Sequence, residues 1–145
     1  MPHLNLQIGP LGPVMDVAVA VSSLRADALT LAKQAIPDAI VIRALVDTGA
    51  SCSCVDPDVL TSLGLTPTGS ASIHTPSTGG IAAHYDQYDV DLMLTHPKLV
   101  LNVQNVPVVA TELGMQGIQG LIGRDVLENC LLIYDGQSKE FTISI

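Results

Sequence analysis

Aromatic and basic side chains are both scarce in this sequence. Its 145 residues include no Trp, one Phe and three Tyr. The apolar volume therefore comes almost entirely from Val, Ile, Leu and Ala, a composition that favours sheet. Six basic residues stand against fourteen acidic ones, a net charge of −8. This balance excludes the basic surface that nucleic acids and anionic membranes attract.

Cysteines and long hydrophobic runs are also too few for two other classes of protein. Three cysteines form no disulfide framework, and the longest apolar runs, such as 106–110, are far shorter than the roughly 18 residues of a membrane span. The N-terminus has no basic stretch followed by a long apolar one, so we expect no signal peptide. We expect a cytoplasmic protein with a single domain over residues 1–145, because most domains have about 50 to 250 residues.

Alternating apolar residues bounded by turn residues predict a chain made mainly of β-strands. Residues 1–13 are expected to be an irregular N-terminal segment, and a turn at about 75–80 is expected to form the tip of a hairpin. The predicted strands are 14–21, 39–46, 70–74, 81–94, 99–103, 106–110, 131–134 and 141–145, with Gln104 and Asn105 separating two of them.

Three helices are predicted between the strands. The first extends from a serine cap at Ser22 to 35, before a proline. Asp56 as cap and Pro57 at the first helical position predict a second, two-turn helix that ends at Gly64. A third is predicted at about 125–130, with Asp125 and Glu128 spaced as a capping box. The expected buried face of the first helix consists of Leu24, Ala28, Leu31, Ala32 and Ala35.

The residues with the most chemical potential follow a buried strand. The predicted strand 39–46 leads directly into Asp47, Thr48 and Gly49. A carboxylate at this position is partly desolvated, threonine can bond a neighbouring backbone, and glycine permits a sharp turn and the close approach of another chain. The same three residue types are common in surface turns, so on their own they leave a catalytic and a structural interpretation open.

Two segments together resemble the signatures of the retropepsin-like (retroviral-type) aspartic proteases. Residues 44–51, Ala-Leu-Val-Asp-Thr-Gly-Ala-Ser, are similar to the catalytic segment of that family. Residues 121–127, Leu-Ile-Gly-Arg-Asp-Val-Leu, are similar to its second signature, in which two apolar residues and a glycine precede an arginine and a short helix. Between them lies a hairpin with Ser-Thr-Gly-Gly at its tip, where the family has its flap. The similarity covers residues 39–145 and indicates a cellular, bacterial-type member.

The resemblance implies an all-β fold, a small closed barrel of the acid-protease type with a short C-terminal helix and one lobe per chain. Because the sequence has one Asp-Thr-Gly and no Asp-Ser-Gly, Asp47 would pair with Asp47 of a second copy in a homodimer. One carboxylate would activate a water while the other, protonated, polarises the scissile carbonyl. The expected protein is an aspartic endopeptidase that binds an extended peptide and needs no cofactor or metal.

The resemblance also implies roles for the residues around Asp47. Thr48 would form hydrogen bonds across the dimer as part of the catalytic segment. Residues 131–145, with 4–8, are expected to supply dimer contacts. The expected substrate-binding residues are Gly49, Ala50, Ser51 and, at the flap tip, Ser77, Thr78, Gly79 and Gly80. The expected supports of the site are Leu121, Ile122, Gly123 and Arg124.

The sequence departs from the viral pattern at Ser51, where viral members have an acid that pairs with the arginine. The partner of Arg124 is therefore open between a main-chain carbonyl and an acid such as Asp125 or Asp56. This departure leaves a second hypothesis, a catalytically inactive retropepsin-fold module for dimerisation or peptide binding.

Cys52 and Cys54 are spaced like half of a metal site. The histidines that could complete it, His74, His84 and His96, lack a paired ligand spacing. We therefore interpret both cysteines as structural or as part of the lining of a substrate subsite.

Overall fold

The structure is a computed structural model that describes residues 2–74, 79–96 and 99–144. The described residues form ten β-strands, three short α-helices and one 3-10 turn at Gly114–Gln116. The strands are β1 (His3–Gln7), β2 (Val14–Val21), β3 (Ile40–Val46), β4 (Cys54–Val55), β5 (Gly69–Ile73), β6 (Ala83–His96), β7 (Leu99–Ala110), β8 (Gly120–Ile122), β9 (Leu131–Asp135) and β10 (Glu140–Ser144). The α-helices are α1 (Ser23–Leu31), α2 (Pro57–Ser62) and α3 (Arg124–Leu127).

Six of the strands close into a barrel. Hydrogen-bonded neighbours follow the order β2, β3, β8, β4, β7 and β6, and β6 pairs with β2 to complete the circle. The β3–β8 and β4–β7 pairs are parallel, and the other four are antiparallel. β5 pairs with the first part of β6 and forms a hairpin with it. The expected all-β closed barrel with a short C-terminal helix is confirmed.

Aliphatic side chains fill this barrel. Along β2, Val17, Val19 and Val21 are at most 5% exposed, as the period-2 pattern predicts, and Ala18 between them is buried as well. Val90, Leu92 and Leu94 do the same along β6. The core is therefore assembled from strand faces, which explains how a sequence with one Phe closes a barrel.

The N-terminal segment differs from the expectation of an irregular 1–13. Residues 3–7 form β1, which pairs with β10 in a separate three-stranded sheet of order β1, β10, β9. Leu4 lies opposite Ile143 and both are buried. The physical reason is the alternation of polar and apolar residues from His3 to Gln7, which buries Leu4 on one face. Only the stretch after it is a turn, with a bridge between Gly9 and Gly12.

Two further expectations are corrected. β7 is one continuous strand, because Gln104 and Asn105 form a bulge opposite Asp91 and do not break the pairing. Asn105 adopts a left-handed conformation (φ 55°), and its N–H donates to Asp91 Oδ1 at 2.8 Å. α1 ends at Leu31 rather than 35, and its expected apolar face is exposed; the side chain that it buries is Leu29.

Candidate active site

The Asp47 loop begins where β3 leaves the barrel. Asp47 N donates to Ile122 O at 2.9 Å, which extends the parallel β3–β8 pairing by one residue. Asp47 Oδ1 accepts from Gly49 N at 2.9 Å, and Ala50 N donates to Asp47 O at 3.2 Å. These bonds make a tight turn, and a Cβ on Gly49 would lie 3.1 Å from Asp47 Oδ1, so glycine leaves room for the carboxylate.

Arg124 holds the same loop from α3. Its Nη1 donates to Thr48 O and its backbone N donates to Ala50 O, each at 2.9 Å. The partner left open by the sequence is therefore a main-chain carbonyl, on the loop that carries Asp47. Asp56 and Asp125, the two acids considered, bond to other groups.

Gly123 permits close packing between the two signature segments. A Cβ there would lie 2.6 Å from both the carbonyl carbon and the carbonyl oxygen of Cys52, and 3.0 Å from Ser53 N. Any side chain would push these backbones apart. Ile122 and Gly123 are both buried, so this part of the site belongs to the packed core.

A cleft of about 430 Å³ adjoins Asp47. The Asp47 loop and β4 form one wall, and the β5–β6 hairpin forms another. Its lining residues are Asp47, Gly49, Ala50, Ser51, Cys52, Cys54, Ile73, His74, Tyr85, Thr111 and Leu121. The structure thus brings together Asp47 and three of the expected substrate-binding residues, and Leu121 lies in the cleft wall itself.

Other expected residues lie elsewhere. Gly79 and Gly80 form an exposed turn in left-handed conformations (φ 61° and 83°) and do not line the cleft. Ser77 and Thr78 lie outside the described residues. Thr48 is exposed and contributes its carbonyl to Arg124, so its role across a dimer stays a prediction.

Ser53 and Asp125 lie next to the site, although neither was among the expected site residues. Ser53 N and Oγ donate to the two carboxylate oxygens of Asp125, at 2.9 and 2.7 Å. The expected capping box is wrong, because α3 has Gly123 as its N-cap with no side-chain cap bond. The partners are 72 residues apart in the chain, so no local pattern could have paired them.

Burial and hydrogen bonds shift the pKa values of Cys54, which lines the cleft, and of Cys130 and Asp56, which do not. Burial raises the pKa of the Cys54 thiol to about 11 and also raises the pKa of Cys130. The pKa of Asp56 is lowered, chiefly by the backbone N–H of Leu113. Asp56 caps α2, as predicted, and through Leu113 also fixes the loop after β7.

Metal ligands and membrane helices can be assessed for the described residues. These contain no group of three or more His, Cys, Asp or Glu side chains that could hold a metal ion. All three cysteines are free thiols, and two of them, Cys52 and Cys54, line the cleft. No helix in the described part of the chain is long and apolar enough to cross a membrane.

The closed barrel, the Asp-Thr-Gly turn and the arginine beneath it together are features of the aspartic-protease fold. A family model described as aspartyl protease matches residues 32–126, and the chain belongs to this family. Its fold is retropepsin-like. The crystal structure of a retropepsin-like aspartic protease from Rickettsia conorii is similar to it, with a TM-score of 0.53 and 16% sequence identity. The match covers 98% of this chain and 89% of that one. An aspartic proteinase from Irpex lacteus is similar with a TM-score of 0.59 and 14% identity, and this chain, 99% covered, spans 47% of it. No curated protein matches the sequence.

Proposed function

We propose that this chain is a homodimeric aspartic endopeptidase whose catalytic pair is Asp47 from each subunit. Family and fold support a protease function in general. The observation that carries the finer proposal is the Asp47 carboxylate, fixed by Gly49 N at the mouth of a cleft wide enough for side chains. One carboxylate acts as base on a water, and its protonated neighbour polarises the peptide carbonyl.

The second carboxylate of the proposed pair comes from a second copy of this chain. Two observations support this: the given sequence contains a single Asp-Thr-Gly, and it spans 47% of the Irpex lacteus proteinase. Two carboxyl groups a few ångströms apart share one proton, because both cannot ionise at that distance. We therefore expect activity in acidic to mildly acidic solution.

The substrate is an extended peptide in the cleft. Its backbone would add along the β5–β6 hairpin, as extended peptides commonly do at exposed strand edges. The cleft walls include Ala50, Ile73 and Leu121, so apolar side chains are preferred on both sides of the cleaved bond.

Digestion of a peptide library tests the catalytic assignment. Asp47→Asn keeps the shape of the side chain and removes its charge, so cleavage is expected to fall to background. Asp27→Asn makes the same change on the exposed surface of α1 and is expected to leave cleavage unaltered. Undiminished cleavage by Asp47→Asn would refute the assignment; a dimer that binds peptides without cutting them would favour the inactive module.

Subunit mixing tests whether the site is shared. With random exchange, equal amounts of wild type and Asp47→Asn leave about a quarter of the molecules as wild-type homodimers. Activity per total protein is therefore expected to fall to about a quarter of the pure wild-type value. A fall to one half would show that each chain is active by itself.

The edge strand β9 supplies our proposed dimer contact. β9 pairs with β10 on one side, and Leu131 and Ile133 project from one face with about half of each side chain exposed. Ile133→Arg is expected to give monomers in sedimentation velocity and to abolish cleavage. Met115→Arg, at a fully exposed methionine outside this sheet, is the matched control. A dimeric Ile133→Arg would move the interface elsewhere.

A further inference from the structure

Ser53, which lies between two cysteines that line the cleft, is joined by hydrogen bonds to Asp125 of α3. Ser53 Oγ donates to Asp125 Oδ1 at 2.7 Å and accepts from Gly123 N at 3.0 Å, and Ser53 N donates to Asp125 Oδ2 at 2.9 Å. Asp125 Oδ1 also accepts from Val126 N at 2.9 Å. Ser53 is fully buried. We call this set of bonds the Ser53–Asp125 clamp.

The clamp lies at the point where the Asp47 loop returns to the barrel. Cys52 and Cys54, the neighbours of Ser53 in the chain, both line the cleft. Just before them, Ala50 O accepts a hydrogen bond from Arg124 N. Three donors on one carboxylate form charge-assisted bonds, which are about twice as strong as neutral ones. The clamp therefore determines where the 50–54 backbone sits relative to α3.

We propose that Ser53 and Asp125 are positioning residues for the substrate-binding wall of the cleft. Neither touches the cleft itself; they act through Cys52 and Cys54. Removing the hydroxyl of Ser53 leaves the buried Gly123 N–H without its acceptor and Asp125 with one donor fewer, so the segment opens locally. The kinetic consequence rests on the proposed endopeptidase function, whereas the local opening does not.

Thiol labelling of the full-length protein measures the opening directly. N-ethylmaleimide reacts with the thiolate, so the buried, weakly acidic Cys54 is expected to be protected in the wild type. In Ser53→Ala, labelling of Cys54 is expected to accelerate about tenfold or more, as loss of a charge-assisted hydrogen bond implies. Cys130 bonds to Val126 O, and Val126 N belongs to the clamp, so the control is a variant outside the clamp and not this second thiol.

Two variants distinguish a local displacement of the cleft wall from a general loss of protein stability. Ser53→Thr keeps the hydroxyl and adds a methyl group to a fully buried site, so it loses stability by overpacking yet keeps Cys54 protected. Leu29→Ala removes buried volume from α1 and lowers stability without touching the clamp. Labelling is measured on all variants at one temperature, well below unfolding.

The outcomes decide the proposal with or without protease activity. If peptides are cleaved, Ser53→Ala is expected to raise KM about tenfold with a smaller change in kcat, because Asp47 keeps its own bond to Ile122 O. If no peptide is cleaved by the wild type, the proposed function fails and the labelling result still stands. The same acceleration of Cys54 labelling in Leu29→Ala would show a purely global effect, and no acceleration in Ser53→Ala would show that the clamp does not protect Cys54; either result would overturn the proposal.

Discussion

Gly123→Ala places one methyl group between the two signature segments. The backbone at Gly123 (φ −90°, ψ −176°) is extended and suits alanine, so the substitution introduces no backbone strain. The new Cβ would lie 2.6 Å from the carbonyl carbon and oxygen of Cys52, and no flexible side chain can move aside there. The backbones have to separate instead.

Two effects of the substitution, overpacking and a weakened hydrogen bond, set the size of the expected loss of stability. Overpacking a filled core costs about 1–3 kcal/mol, and weakening the bond from Gly123 N to Ser53 Oγ costs about 1 kcal/mol more. The free energy of unfolding should therefore fall by about 2–4 kcal/mol, a large share of the roughly 5–15 kcal/mol of a typical domain. With a slope of about 2 kcal/mol/M, the urea midpoint falls by about 1–2 M.

Urea unfolding at fixed protein concentration measures this loss, because concentration affects the apparent stability of a dimer. Gly69→Ala in β5 is the matched control: its Cβ would meet nothing within 4 Å, and it brings the same loss of unfolded-state freedom. We expect Gly69→Ala to lie within about 0.5–1 kcal/mol of the wild type. Equal midpoints for the two variants would refute the close-packing explanation of Gly123.

Three further substitutions test the groups that surround the cleft. Arg124→Ala removes the donor to Thr48 O, and the side chain that is lost is exposed. We expect kcat/KM for a peptide to fall about tenfold or more while the free energy of unfolding changes by less than about 1 kcal/mol. Parallel losses in kcat/KM and in the free energy of unfolding would contradict this. The backbone N–H of Leu113 lowers the pKa of Asp56, so its carboxylate stabilises the fold above pH 3.8 and this contribution is lost as pH falls towards the lower folded pKa. Wild type should therefore exceed Asp56→Asn in stability at pH 7 and by less near pH 3, and a gap independent of pH would exclude the charge as its cause. Burial raises the pKa of Cys54 from 9.0 to about 11, so stability present below pH 9 is lost as pH rises through this window, by about 2–3 kcal/mol. Cys54→Ala should lack that loss, and identical pH profiles would show that the thiol has the same pKa in the folded and the unfolded protein.

Local patterns in the sequence predicted the elements that fill the barrel. Alternation along β2 and β6 placed the buried faces correctly, and the Asp56 and Pro57 signal placed α2. The same alternation in His3–Gln7 was sufficient to predict β1, although the prolines and glycines that follow favoured an irregular segment. α1 could not be predicted as well, because a nine-residue helix that buries only Leu29 need not turn its most apolar face inward.

Tertiary contacts decided the parts that no local pattern could predict. β4 has only two residues, too few for any periodicity, and exists because Cys54 and Val55 fit between β8 and β7. Asp125 has a helix-capping position in the sequence, but Ser53 offers it two donors at once. A carboxylate that accepts both is better satisfied than one that caps a four-residue helix.

The parallel pairing of β3 with β8 explains why two distant signatures form one site. Val46 lies opposite Ile122, so the residues that follow, Asp47 and Gly123, leave the barrel at the same edge. An antiparallel pair would send them to opposite ends. Arg124 can then reach Thr48 O with an ordinary side-chain length, and it supports the Asp47 loop from the side of α3. The other side of this loop, with the Asp47 carboxylate and the exposed Thr48, is the surface that we expect a second copy of the chain to cover.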